Sequence, residues 1–592
     1  MKQQFNLRAF IVLFVFAFMI SNTGCNIFRK SPPAGTNLEQ THTERPKESA
    51  TELKGLKGYR NGMVVSAHPI ASEVGVAILK KGGNAIDAAV AVQFALAVVY
   101  PNAGNLGGGG FLVYRSAKGE IASLDFREKA PGDAFRDMYL DMYGEPIVDL
   151  SLRSQLASGV PGSVDGMVKA HEKYGKLSWK ELLQPSIDLA RKGFALTAMQ
   201  ALEINSRRES FLKYNPEGTA FTLKQNWSEG DTFIQPELAH TIELIKDQGR
   251  KGFYEGETAE KIVSEMKSGN GIISLQDLKD YEAQWRKPVV GSYRGHRVIS
   301  MPPPSSGGIA LLQMLHSVEA FPLGRWGFQS DSTVQVMIEA ERRVYADRAE
   351  HLGDPDFYHV PQDQLVNIKY NAIRMSDMNF NQATPSSAIQ AGSVGVVAES
   401  EETTHFSIVD KEGNAVSLTT TLNGSYGSQV VVKGAGFLLN NEMDDFSVKP
   451  GAPNMFGLIG GKANSIEPGK RMLSSMTPTI IEKNGKLFMV VGTPGGSTIM
   501  TSVFQTILNV IDWNMNMQEA VDAPRFHHQW LPDQVDAEAA AFTPELRDRL
   551  SQKGYNIKKR GAIGRVDAIL VSEDGALTGG ADPRGDDKVI GY

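Results

Sequence analysis

Residues 399–425 read ESEETTHFSIVDKEGNAVSLTTTLNGS. Two short β-branched runs flank Lys411-Glu412-Gly413, a spacing that predicts a hairpin closed by a three-residue turn, with Gly413 supplying its left-handed position. Asp410 then pairs with Asn414, Ser407 with Ser417, His405 with Thr419 and Thr403 with Thr421. Side chains alternate along a strand. One face therefore carries Phe406, Ile408, Val416, Leu418 and Leu422, a core face. The other carries Thr403, His405, Ser407, Ser417, Thr419, Thr421 and Asn423. Threonine forms strands well, so a hydroxyl-rich face in contact with water is the plain expectation. The acids Glu399, Glu401 and Glu402 and the long Ala/Ser/Gly/Gln-rich run from Asn367 to Ser400 point elsewhere. Such a run reads as an exposed loop, and long loops are often functional. A threonine hydroxyl needs a base, and the α-amine of the same residue serves if that residue becomes a chain N-terminus. An α-amine titrates near ~7.7–8.0, close to working pH. Cleavage ahead of Thr403 or Thr404 creates this arrangement, and spacing alone does not choose between the two.

Outward from the hairpin, the chain of 592 residues is 41% hydrophobic with a formal charge of −6. That length suits two to four domains, and the absence of a basic excess argues against a nucleic-acid partner. Lys2 and Arg8 precede the apolar run Ala9–Ile20, which suits a secretory signal and is short of the ~20 residues that span a bilayer. Cys25 is the only cysteine, which excludes an internal disulfide or CxxC pair. "SNTGC" resembles a bacterial lipoprotein signal, with cleavage after Gly24 and lipid on Cys25. Residues 26–54 are polar and proline-containing, a flexible tether. The folded body is expected from residue 55.

His68–Pro101 reads as two helices broken at Gly82-Gly83, the second apolar on nearly every face. Amphipathic helices are expected between about Ser178 and Arg286, with one more over about Ser332–Leu352. Beyond the hairpin the text alternates strands and helices, ending in a hairpin over "AILVSEDGALTGGAD". "LFMVVGTPGGSTIM" reads as strand, tight turn, helix. The whole implies an α+β layered fold with sheets between helices.

"TTHFSIVDKEGNAVSLTTTLN", "LLNNEMDDFSVKPGAPN", "KRMLSSMTPTI", "GTPGGS" and "APRFHHQWLPD" together resemble γ-glutamyltranspeptidase, also called glutathione hydrolase. Upstream, "GNAIDAAVA", "GNLGGGGF", "DFREKAP" and "SGVPGSVDGM" resemble its large subunit, so the likeness runs from about Gly58 to Tyr592. The resemblance implies an N-terminal-nucleophile hydrolase, a four-layer αββα sandwich made as a self-cleaving precursor. Its two products stay together, here a large subunit of 55–402 and a small catalytic subunit of 403–592. It implies Thr403 as nucleophile, Glu402–Thr403 as the processing bond, and Thr421 as the hydroxyl partner. Donors are glutathione and other γ-glutamyl compounds; acceptors are water, amino acids or peptides; no cofactor or metal is needed.

A γ-glutamyl group presents a carboxylate, an ammonium and a γ-carbonyl. The carboxylate calls for a guanidinium fork and hydroxyls, for which Arg127, Ser474 and Ser475 match the family. On the bland alternative, Arg127 pairs with Glu128 on the surface. Asn423, Glu442 and Asp445 match its ammonium acceptors, and Asp445 separates it from glutaryl-type β-lactam acylases of the same fold. The Gly495 and Gly496 amides match the oxyanion site, a place where one lost donor costs ~10²–10³ in rate. Residues 450–461 match the lid, with Phe456 where tyrosine is common. His527 and His528 lack a third nearby ligand and read as structural. Export to the periplasm, or anchoring to the bacterial outer membrane through Cys25, completes the expectation. An acylase on the same scaffold and an uncleaved surface binding protein are the competing readings.

Overall fold

The computed structural model describes residues 58–147, 149–391, 402–449 and 462–592, and of Glu402 and Lys462 only the backbone. The signal segment with Cys25, the tether, Phe456 and the rest of the expected lid, and the stretch leading to Glu402 lie outside the described residues.

Two sheets hold the molecule. In chain order their strands are β1 (Met63–Ser66), β2 (Gly109–Arg115), β3 (Ile121–Asp125), β4 (Gln284–Arg286), β5 (Val289–Tyr293) and β6 (His296–Ser300). These are followed by β7 (Glu402–Val409), β8 (Ala415–Asn423), β9 (Thr479–Lys483), β10 (Lys486–Gly492), β11 (Asp567–Val571), β12 (Leu577–Gly580) and β13 (Lys588–Gly591). Among the described residues the first sheet runs β13-β1-β7-β8-β2-β3-β4 and the second β12-β11-β10-β9-β6-β5. Each sheet takes strands from both sides of the 402–403 bond.

Helices cover the outer faces. Against the first sheet lie α1 (Pro69–Lys80) and α2 (Ala85–Val99), with α3 (Trp179–Lys192) packed on α2. Asn84 caps α2 in a reciprocal bond with Asp87, and every residue of α2 is buried, as a helix covered on both sides must be. Against the second sheet lie α4 (Gly307–Glu319) and α6 (Thr498–Ile511), backed by α5 (Asp331–His351). A third apolar cluster, including Met63, Phe111, Val113, Ile299, Val409, Ala415, Ile480, Val490 and Ile569, fills the space between the sheets. The layers are αββα, as the resemblance implied.

Phe406, Ile408, Val416, Leu418 and Leu422 pack in the helix-side core. The hydroxyl face does not meet water: the second sheet covers it. Ser417 Oγ donates to Val491 O (3.1 Å) and accepts from Thr479 N (2.9 Å), while Ser407 Oγ donates to Asp567 O (2.9 Å). The two sheets are thus stitched by side-chain-to-backbone bonds.

The hairpin turn closes as expected, with Asp410 N donating to Asn414 O (3.0 Å) and Gly413 at φ +89°. The predicted register holds from Val409↔Ala415 through Thr404↔Thr420 and then breaks, because the next pair is Glu402↔Asn423. Thr403 therefore faces a bulge of Thr421 and Leu422 rather than pairing with Thr421 alone. Local bonds drive the extra residue outward: Asn423, at φ +74°, gives its N–H to Thr421 Oγ1 (2.8 Å), and Asn441 N donates to Leu422 O (3.0 Å). Bulges re-aim side chains and recur beside active sites.

The expectation of one long exposed loop from Asn367 is corrected in its described part. Ile368–Arg374 is helical, and Asn371, Met375, Ala383 and Ile389 are buried. Charges on α5 strap this segment: Arg343 Nε donates to Arg374 O (2.7 Å) and Glu339 Oε1 accepts from Thr384 N (3.2 Å).

Candidate active site

The open end of the hairpin separates its first two threonines by chemistry. Thr404 and Thr420 turn toward the helix layer, where Thr420 Oγ1 accepts from Asn105 Nδ2 (3.0 Å) and donates to Gly109 O (2.8 Å). Thr403, alternating with Thr404, shares the inner face with His405 and is buried. His405 bridges Thr419 Oγ1 (2.9 Å) and Ser407 Oγ (3.1 Å), and burial pulls its pKa down to about 3. A neutral imidazole fully engaged in this way is a structural strut and not a base for Thr403.

Beside this end lies a buried charge cluster. Arg127, just past β3, is buried and ion-paired with Glu442 (2.7 Å), Asp445 and, more loosely, Glu128 (3.5 Å). Its guanidinium also donates to Met472 O (3.3 Å) and Leu473 O (3.2 Å), which ties it to the segment carrying Ser474 and Ser475. The bland alternative is half right: Arg127 does meet Glu128, but far from the surface. Glycine makes the cluster adjoin the hairpin. Gly109 pairs with Thr421, and a Cβ there would lie 2.6 Å from Glu128 Oε2 and 2.5 Å from Phe126 O. Only a residue without a side chain lets the carboxylate sit against β2.

One guanidinium faces three buried carboxylates. Burial pushes Glu128 up to about 8 and raises Glu442 and Asp445, against the opposing pull of Arg127. Glu128 Oε1, Glu442 Oε1 and Asp445 Oδ1 have no hydrogen-bond partner among the described residues. Such a site favours a cation carrying several N–H donors.

Ser474 and Ser475 are braced from the second sheet's helices. Ser306 N (2.6 Å) and Oγ (2.7 Å) donate to Ser474 O, while Arg348 reaches both Ser306 Oγ (2.9 Å) and Ser475 Oγ (3.3 Å). Sequence reasoning missed Arg348, which sits on a helix rich in charged residues that is nonetheless buried from Thr333 to His351. It also passed over Glu128 as a site member, although it adjoins Arg127 in "DFREKAP".

Between β10 and α6, Gly495 and Gly496 take φ +133° and +54°, and Thr498 N returns to Gly495 O (3.0 Å). Among the described residues neither glycine amide donates to a protein acceptor. Two free N–H groups at a helix start form a natural oxyanion site. This turn is held near the hairpin because the His405 ring lies against Gly492, where a Cβ would be 2.3 Å from Cε1. Asn423 Nδ2 donates to Asn441 O (2.9 Å), fixing it between the bulge and the Glu442–Asp445 turn. His527 and His528 stand apart, their rings bonded to Thr501, Gln529, Trp530 and Asp533.

Known proteins match this chain over nearly its whole length. The family model for Gamma-glutamyltranspeptidase matches residues 71–592. The glutathione hydrolase proenzyme of Escherichia coli K12 is 47% identical over 536 residues, covering 90% of this chain and 92% of its own. An acylase ACY 1 proenzyme from Pseudomonas sp. V22 is 36% identical, covering 90% and 94%. Among solved structures, a cephalosporin acylase from Bacillus halodurans superposes with a TM-score of 0.81 at 26% identity, over 93% of this chain and 98% of that one. The gamma-glutamyltranspeptidase of Helicobacter pylori gives 0.56 at 46% identity, over 57% and 97%. By sequence and fold, the chain belongs to the gamma-glutamyltranspeptidase family.

Proposed function

We propose that this protein is a self-processing γ-glutamyltransferase and glutathione hydrolase. The observation that carries the reading is the buried Arg127–Glu442–Asp445 cluster beside the bulged threonine strand, which sets a guanidinium and carboxylates side by side as a zwitterionic donor requires. Thr403 Oγ1 attacks the Glu402 carbonyl carbon, the C–N bond breaks, and the nitrogen leaves as the free Thr403 amine. Water then hydrolyses the ester and frees the Glu402 carboxylate. In turnover that amine takes the Thr403 hydroxyl proton as the oxygen attacks the γ-carbonyl of the donor. The Gly495 and Gly496 amides receive the oxyanion, Thr421 supports the nucleophile, and the proton passes to the leaving amine. Water or an acceptor amine resolves the γ-glutamyl ester.

Arg127, with Ser474 and Ser475, takes the donor's α-carboxylate. Asn423, Glu442 and Asp445 take its ammonium, so each of the donor's two charges meets an opposite partner in the cluster. Phe456 serves as the lid, and the large and small subunits remain a heterodimer. Export, with a lipid on Cys25, places the enzyme in the periplasm or on the outer membrane.

The test is a denaturing gel with N-terminal sequencing of the smaller band, run beside assays on a γ-glutamyl anilide and a glutaryl anilide. Two bands, a sequence starting at Thr403 and preference for the γ-glutamyl substrate are expected. One uncleaved band with full turnover would defeat the mechanism, and preference for the glutaryl substrate would make the protein an acylase.

A further inference from the structure

Beyond the donor pocket the chain leaves β8 through a contorted segment. Asn423, Tyr426 and Gln429 all have left-handed backbones, at φ +74°, +61° and +64°. Three such residues in seven positions is strain of the sort that collects at functional sites. Gln429 is fully buried. With its carboxamide oxygen turned toward the arginines, that oxygen accepts from Arg153 Nη1 (2.8 Å) and Arg207 Nη1 (3.3 Å), and its nitrogen donates to Ser210. Two half-buried guanidinium groups thus converge on one neutral oxygen. Among the described residues neither has a carboxylate within ion-pair distance. Asp149 and Glu203 are the acids that act on them from further off, and Glu203 is taken up by Asn102 Nδ2 (3.2 Å). Burial and the Arg207 charge both pull the Arg153 pKa down, the signature of a cation lacking an anion.

The segment carrying Arg153 and the segment carrying Gln429 each connect to the residues assigned to the donor. Ser151, two residues before Arg153, donates to Asp444 Oδ1 (2.6 Å), and Asp444 adjoins Asp445. Tyr426 N donates to Asn102 O (2.8 Å) and Ser425 Oγ to Asn102 Oδ1 (2.6 Å), which holds the path from Asn423 to Gln429 in place. Two extended residues span ~7 Å. A dipeptide attached at the γ-carbonyl has that length, and it ends in a carboxylate. Paired guanidinium forks are the side chains best shaped to receive one.

Resting on the reaction proposed above, we infer that Arg153 and Arg207 form an anion subsite for the terminal carboxylate of the substrate's peptide portion. That portion is either the dipeptide leaving glutathione or a peptide acceptor. Two arms separate the sources. In the first, glutathione is compared with its C-terminal amide as donor. In the second, glycylglycine is compared with glycylglycinamide as acceptor, using a γ-glutamyl anilide as donor.

The readout is the acid-to-amide ratio of kcat/KM, in which effects common to both substrates cancel. Wild type should favour the acid by about tenfold or more in at least one arm. Arg153→Gln with Arg207→Gln should bring that ratio to near one, and Arg153→Lys with Arg207→Lys should restore part of it. A wild-type ratio near one in both arms, or a preference that survives the glutamine variants, overturns the subsite. Failure of wild type to hydrolyse the anilide would instead overturn the underlying reaction.

Discussion

The two ends of one hairpin differ in kind. Near its turn, the inner face carries Val409 and Ala415, the pairing is regular, and the strands merely pack against the second sheet. At the open end the same face carries His405, Thr419, Thr421 and Thr403, and the pairing breaks into a bulge. The turn end is built for stability, with its core shared among neighbours and its register set by alternation. The open end gives up a regular ladder so that hydroxyls, amides and charges converge. One strand pair thus holds a regular ladder at Val409 and a bulge at Thr403, six residues away, the first fixing the second.

Thr403→Ala should show that difference most sharply. Turnover should fall by on the order of 10³-fold or more, and the purified chain should run as a single band. Melting should be little altered, because the hydroxyl is not part of the packed turn end.

Asp445→Asn should weaken γ-glutamyl donors by ~10–10²-fold in kcat/KM, the usual worth of a charge-assisted bond. A glutaryl substrate, which has no ammonium, should be spared. Equal losses on both would mean that Asp445 acts on the fold and not on the donor.

Gly109→Ala would force a Cβ to within 2.6 Å of Glu128 Oε2 and 2.5 Å of Phe126 O. Overpacking of this sort costs ~1–3 kcal/mol, measurable as a shifted denaturation midpoint. An unchanged midpoint would show that β2 has slack at the open end.

Over the narrow window from pH 6.5 to 8, the last test is electrostatic. Glu128 is pushed up to about 8 in the fold, above its unfolded value of ~4.3. The folded state thus holds the extra proton, and its contribution is complete below pH ~4.3 and lost as pH rises through 8. The buried His405, His527 and His528 work the other way, since each is held neutral and favours unfolding as pH falls below ~6.5. The melting temperature should therefore decline between pH 6.5 and 8, and Glu128→Gln should flatten that decline. An identical slope in the variant would remove Glu128 as its source.

What could be read from sequence follows the same division. The turn, the two faces and most of the register were legible because alternation and Gly413 are local signals. The bulge was not, because it depends on Asn441 and on the Asn423 backbone, both outside any two-strand pattern. Covering of the hydroxyl face by a second sheet was hidden for a similar reason, since its partners Val491, Thr479 and Asp567 are far along the chain. Arg127, Glu442 and Asp445 could be picked out through family motifs, yet their mutual pairing could not. The helix α5 was expected, but not the work of its charges: Glu339 and Arg343 hold the 374–384 segment and Arg348 a serine pair, partners that no local pattern announces.

Because each sheet takes strands from before and after residue 402, scission there would yield two polypeptides neither of which owns a complete sheet. Pulling them apart would mean unzipping hydrogen-bonded strand edges in both sheets, so the fragments should melt together in one event. Mixing them after separate synthesis would make assembly a second-order process, slow when dilute. Synthesis as one continuous precursor would make that encounter intramolecular, and a later cut there would release reactivity without releasing a part.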